Sequence, residues 1–216
     1  MAPVLYHCAD ARSFRALWAL EELGLAYELR LLPFPPRVRE PGYLAENPLG
    51  TIPLLVDGAT RMTESAAIVQ YLATRDGPTA LSVEPGDPAY GAWLNGLHLG
   101  EATLTFPQTL VLRYSRLEPP ERRNPQVAED YGRWFMARLR ALDARLAEDD
   151  WWCAGRFTGA DISVGYALLL AHTLGLHERM SPAVLAYWAR LQARPGFQAA
   201  RQAQGSEAAP SWQAGA

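Results

Sequence analysis

The tightest constraint this sequence places on its own fold is an apolar run with a proline inside it, Ile52-Pro53-Leu54-Leu55-Val56. Proline has no N–H to give to a ladder, so within a sheet it belongs at an edge, at a first position or at a bulge. The run is preceded by "ENPLGT" and followed by Asp57-Gly58, a strong hairpin signal. Soon after, "MTES" hands a strand over to a helix at Glu64 and Ser65. The chain therefore needs a short hairpin that opens on a proline and ends on a helix start.

Upstream, "PVLY" from Pro3 fits a buried strand, and from Ser13 the apolar period becomes helical. Phe14, Leu17 and Trp18 fall on one face of this helix, with Arg15, Glu21 and Glu22 on the others. Ser13 reads as its N-cap and Gly24 as its stop. "YELRLL" from Tyr27 alternates as a half-buried strand does, so the opening is β-α-β with two parallel strands. A proline-rich loop, "PFPPRVREPG", separates it from the hairpin and from the helix "ESAAIVQYLATR".

A mixed four-stranded sheet covered by helices satisfies that order, over residues 1–76. Residues 77–88 are rich in turn formers and read as a linker. Residues 89–216 read as all helical, with Pro107 bending or ending the first long helix. Thr158-Gly-Ala-Asp161 and Ser181-Pro182 carry helix-start signals, and the small polar tail after Gly205 is expected to fray.

A net charge of −3 without a basic run excludes an obvious nucleic-acid or anionic-membrane partner. Cys8 and Cys153 make no disulfide framework, which points to a reducing, cytoplasmic setting. No signal peptide is apparent, and the most apolar segment, from Val164, is too short to span a bilayer. The four histidines give no helical i, i+4 zinc pair, so no metal is expected.

These elements, in this order, resemble the cytosolic glutathione transferases, bacterial type. "SFRALWALEELGLAYEL" is similar to that family's first helix and second strand, and "NPLGTIPLLVDG" to its proline loop. "MTESAAIVQYL" is similar to its Glu-Ser helix start, and "WWCAGRFTGADISVGYALL" to a stretch of its second domain. The resemblance implies a thioredoxin-like, glutathione-binding domain (β-α-β-β-β-α) followed by a C-terminal helical bundle that offers a face to an electrophile. It also implies a homodimer.

The resemblance also gives the proline a purpose. With the Ile52–Pro53 bond cis, Ile52 turns its N–H and C=O outward, where an extended tripeptide can pair with them. The helix start at Glu64-Ser65 offers N–H groups and a positive dipole end to a carboxylate. Thr51, Ile52, Pro53, Glu64 and Ser65, with Arg12 nearby, are thus the expected glutathione-binding residues. Each feature also has a plain alternative: an edge strand for the proline, ordinary capping for Glu-Ser.

Catalysis requires a stabilised thiolate. Moving a thiol from about 8.5 to about 6.5 takes roughly 2.7 kcal/mol, and one hydrogen bond to a charged acceptor is worth about 1.5–3 kcal/mol. Ser13 at the first helix start and Tyr6 at the end of the first strand are the two candidate hydroxyls. Counting back from "GLAYE" puts Asp10 where several classes carry serine or cysteine, and Arg12-Ser13 where the bacterial beta-class pair lies. A hydrophobic electrophile is expected against the first long helix, near Leu97, Glu101, Thr105 and Tyr114. The reaction, be it conjugation, peroxide reduction, dehalogenation, ether cleavage or isomerisation, stays open. Two alternatives are a noncatalytic glutathione- or ligand-binding protein on the same fold, and a glutathione-dependent thiol oxidoreductase or peroxidase using Cys8.

Overall fold

The computed structural model describes residues 2–205 and divides into two compact units. The first holds the chain up to Thr79 and the described residues from Ala193 onward; the second runs from Ala80 to Gln192.

The first unit opens with β1 (Val4–His7), α1 (Phe14–Glu22) and β2 (Glu28–Leu31). α2 (Pro36–Arg39), a single-turn helix, lies within the stretch expected as loop, and a second, α3 (Tyr43–Glu46), follows it. β3 (Leu54–Asp57), β4 (Thr60–Met62) and α4 (Ser65–Thr74) follow. The sheet order is β2-β1-β3-β4, with β1 parallel to β2 and β3 antiparallel to β1 and β4. A crossover through α1 forces the parallel pair, and the Asp57-Gly58 turn forces the antiparallel one. α1 ends at a left-handed Gly24, φ 61°, where the Leu25 N–H reaches back to the Leu20 carbonyl at 3.0 Å. Leu5, Leu54 and Leu55 of the sheet and Trp18, Ile68 and Val69 of the helices are buried.

The second unit begins with α5 (Tyr90–His98), and the helical path continues past Pro107. A wide turn over Leu99–Thr105 leads into α6 (Phe106–Leu112), and a second wide turn spans Arg113–Leu117. At the first of these the Phe106 N–H bonds to the Glu101 carbonyl, five residues back. This wider winding makes room for a proline ring that a regular turn would reject. At Gly100 an added Cβ would lie 2.4 Å from the Ser163 backbone, so the close approach of Ser163 requires glycine there.

α7 (Pro125–Leu146), α8 (Gly159–Leu174) and α9 (Pro182–Gln192) complete this unit. Thr158 and Asp161 form the expected reciprocal cap at the start of α8. Asp161 also accepts from the Trp152 N–H at 2.8 Å and the Tyr187 O–H at 2.7 Å. Burial raises its carboxyl pKa, and these bonds oppose that rise. Ser181 caps α9 by accepting the Val184 N–H at 3.2 Å. Within 77–88, expected as linker, Leu81 and Val83 are buried. The Leu81 carbonyl accepts from Trp93 Nε1 and from the Gly159 N–H, which seats that segment on the helical unit.

α10 (Pro195–Ala203) belongs to the sheet unit. Phe197 meets Phe14 and Trp18 edge-on, with centroids 5.4 and 5.0 Å apart, and Arg194 forks onto Glu22 at 2.7 and 2.8 Å. The single helical domain expected over 89–216 is corrected accordingly: it closes at Gln192, and the chain then returns to α1. The tail expected to fray lies outside the described residues. Among the described residues no helix is long and apolar enough to cross a membrane, and no three metal-ligating side chains cluster.

Candidate functional site

β1 runs into α1, β3 starts beside β1, and β4 runs into α4. The register pairs Tyr6 with Leu54 and Leu55 with Met62. The carboxyl end of β1, the entry to β3 and the start of α4 therefore share one end of the sheet.

Ile52–Pro53 is cis, and pairing of β3 begins only at Leu54, so Ile52 stands ahead of the ladder. Thr51 just before it is exposed, Ile52 half-buried and Pro53 buried. The Thr51 carbonyl accepts from the Tyr43 O–H at 2.6 Å and from Asn47 Nδ2 at 2.7 Å. Asn47 Oδ1 accepts the Leu49 N–H at 3.1 Å, closing the turn locally. Gly50 has φ +62°, and a Cβ there would come within 2.7 Å of Arg37 Cβ. Tyr43, Asn47 and Gly50 thus hold the backbone that presents Ile52. Asn47 and Gly50 stand in the sequence motif itself; Tyr43 carried no signal.

At α4, Glu64 is exposed and its backbone extended, φ −92° and ψ 113°. The first intrahelical bond joins the Ile68 N–H to the Glu64 carbonyl at 2.9 Å, so the amides of Ser65, Ala66 and Ala67 precede it. Ser65 is buried, and its Oγ accepts from Arg15 Nη1 at 3.1 Å. Arg15, expected on a polar face of α1, is fully buried instead.

Ser13 departs from expectation in a different way. Its backbone is helical, φ −60° and ψ −16°, and its side chain makes no capping bond. Its hydroxyl is fully buried, 2.7 Å from His7 Nδ1. The direction of that bond follows from its neighbours. Gln204 Nε2 donates to Asp10 Oδ1 at 2.6 Å, and the Asp10 N–H donates to Gln204 Oε1 at 3.2 Å, which fixes the amide. Gln204 Oε1 also lies 2.9 Å from His7 Nε2, so that nitrogen carries the hydrogen. Burial pulls the imidazolium pKa down to about 4 against the Gln204 bond, so His7 is neutral and Nδ1 accepts. Ser13 therefore donates its hydrogen to His7 and accepts the Cys8 N–H at 3.3 Å. Asp10, at a left-handed φ of 56°, is also ion-paired with Arg201, which answers its charge.

Tyr6 and His7 are consecutive on β1 and point to opposite faces. Tyr6 lies against Tyr43, with centroids 5.8 Å apart, so the two candidate hydroxyls do not converge. Arg12 is half-buried beside Ser13. Cys8 is fully buried; burial pushes its thiol up to about 12, and Sγ sits 3.7 Å from the Pro33 carbonyl. That environment suits an inert thiol. In the helical unit, Leu97 and Thr105 are buried, while Glu101 and Tyr114 are half-buried.

Comparison with known proteins converges on one family. Residues 11–75 match the family described as glutathione S-transferase, N-terminal domain. Glutathione S-transferase 3 of Zea mays is 30% identical over 197 residues, covering 85% of this chain and 86% of its own length. Glutathione S-transferase GstA of Escherichia coli O157:H7 is 29% identical, covering 93% and 98%. Among solved structures, a sphingomonad glutathione S-transferase complexed with glutathione superposes with a TM-score of 0.81 at 25% identity, covering 94% of this chain and 98% of its own.

Proposed function

Because this chain belongs to the glutathione S-transferase family, we propose that it binds glutathione at the Ile52 edge and the α4 start and activates its thiol for attack on an electrophilic small molecule. The observation that carries this reading is the union, at one end of the sheet, of the Thr51–Pro53 backbone standing ahead of the β3 ladder and the amino end of α4. Ile52 supplies backbone N–H and C=O to the peptide, between Thr51 and Pro53. Ser65 and the first amides of α4 take the γ-glutamyl carboxylate, and Glu64 meets the ammonium. The sulfur then lies at the amino end of α1, beside Arg12 and Ser13.

Magnitudes decide how Ser13 contributes. Turning its hydroxyl to a thiolate gains about 1.5–3 kcal/mol but leaves His7 Nδ1 buried and unpaired, which costs about 1–3 kcal/mol. The exchange returns little or nothing, so the hydroxyl stays on His7 and ties the loop to β1. The thiolate is instead held by the Ser13 backbone N–H, the α1 dipole and the Arg12 charge, each acting on an anion within the first turn. Tyr6, on the other face, packs with Tyr43.

Retention on immobilised glutathione together with conjugation of an aryl halide tests the reading. Calorimetry that shows no heat with millimolar glutathione overturns it. The inward Ser13 hydroxyl favours one second reading, a glutathione-binding protein without turnover, which binding with no product across an electrophile panel would establish. An oxidoreductase using Cys8 loses its support with that thiol's burial. Pairing into a homodimer and a reducing, cytoplasmic setting complete the proposal. Light scattering in solution checks the first.

A further inference from the structure

Arg15 is a fully buried guanidinium in α1, and its Nη1 lies 3.1 Å from Ser65 Oγ at the first position of α4. Removing such a charge from water is costly, so its placement beneath a helix start calls for a physical account. A guanidinium has only donors, so Ser65 Oγ must accept from it. The serine's own hydrogen is therefore directed away from Arg15. A hydroxyl that accepts from a cation is polarised, and its hydrogen becomes a stronger donor. The dipole end and leading amides of α4 add positive potential on the same side.

We propose that Arg15 is a positioning residue that sets the affinity for the α-carboxylate of the γ-glutamyl residue, acting through Ser65 and without touching the ligand. The inference rests on the glutathione reading above. It accounts for an arginine in a position where helical periodicity alone asks for an exposed face. It also makes recognition of that carboxylate depend on a residue in a different helix from the one that contacts it.

The test is a cycle of ligand and protein changes read by calorimetry and steady-state rates. The ligands are glutathione and an analogue in which γ-aminobutyrate replaces the γ-glutamyl residue, which lacks only the α-carboxylate. The proteins are the full chain, Arg15→Met, Arg15→Lys, Ser65→Ala and Arg15→Met with Ser65→Ala. Arg15→Met should weaken glutathione about tenfold, with kcat at saturating glutathione unchanged. The same substitution should leave the analogue's affinity within about twofold and add nothing further to Ser65→Ala, as coupled sites require. Arg15→Lys, which keeps the charge, should recover most of the loss. An equal loss for both ligands, a loss that persists beside Ser65→Ala, or no loss at all would overturn the proposal. If Arg15→Met does not fold, Arg15→Lys decides: a loss as large for the analogue as for glutathione makes the role merely structural. Failure of the unaltered protein to bind glutathione is a separate result that removes the functional reading first.

Discussion

Two serines stand at two helix starts in the same unit, and they face opposite ways in hydrogen-bond terms. Ser13 gives its hydrogen to His7, whereas Ser65 receives one from Arg15. Both are nearly or wholly buried, so exposure does not separate them. The partner does. A neutral imidazole with its other nitrogen protonated must accept, and a guanidinium must donate. A serine behind a donor turns its own hydrogen away from that partner. On the proposed reading, that difference in the inner bond is the reason to give the carboxylate to Ser65 and to treat Ser13 as a strut.

The largest expected effect tests the inner end of the Ser13 chain. In the unfolded chain His7 titrates near 6.5, and in the fold near 4. Between those values the unfolded state binds the extra proton, so stability is intact above 6.5 and falls as pH drops toward 4. The loss amounts to roughly 3 kcal/mol. Denaturant titrations from pH 7 to pH 4 should show that component in the unaltered protein and lack it in His7→Leu. A parallel decline in both proteins would mean that His7 is not the neutral acceptor on which Ser13's direction depends.

Next in size is Ser65→Ala, expected to weaken glutathione about tenfold to a hundredfold by removing a hydrogen bond to a charged group. Ser13→Ala should leave affinity nearly unchanged and instead cost about 1–3 kcal/mol of stability, since His7 Nδ1 loses its donor. Its kcat/KM should fall less than about fivefold. If Ser13 gave its hydrogen to the sulfur, the bound thiol would lose about two pH units of acidification and the rate near neutrality about tenfold to thirtyfold. Titration of the bound thiol by its ultraviolet absorbance separates the two outcomes.

The sheet end was legible because its signals are local: Pro53 inside an apolar run, Asp57-Gly58 as a turn, Glu64-Ser65 ahead of a helical pattern. Thr158 with Asp161 and Ser181 with Pro182 were legible for the same reason, a cap being readable within a few residues. What the sequence hid is set by distant partners. Nothing near Ser13 announces that Gln204, at the far end of the described chain, fixes the tautomer of His7. Helical periodicity put Arg15 on a polar face because periodicity knows nothing of Ser65 across the unit. Pro107 read as a bend or an end of the helix because a proline marks its own position, whereas the wide turn over Leu99–Thr105 that carries the path past it has no local sequence signal.

The smallest expected effect is also the cleanest division between strand and helix start. Tyr6 lies on the sheet face opposite His7, its ring half-buried against Tyr43. Tyr43 in turn gives its hydroxyl to the Thr51 carbonyl beside the cis bond. Tyr6→Phe keeps the ring and the packing and removes only the oxygen, so conjugation rate, glutathione affinity and the acidity of the bound thiol should each stay within about twofold, in keeping with substitutions that break no buried contact. Truncation to Tyr6→Ala is different. It withdraws the ring from Tyr43 and should loosen the Thr51 anchor, raising KM for glutathione with kcat preserved. A Tyr6→Phe variant that instead loses the acidity of the bound thiol would move thiolate stabilisation from the α1 start to the strand, and the contrast between the two serines would then concern binding alone.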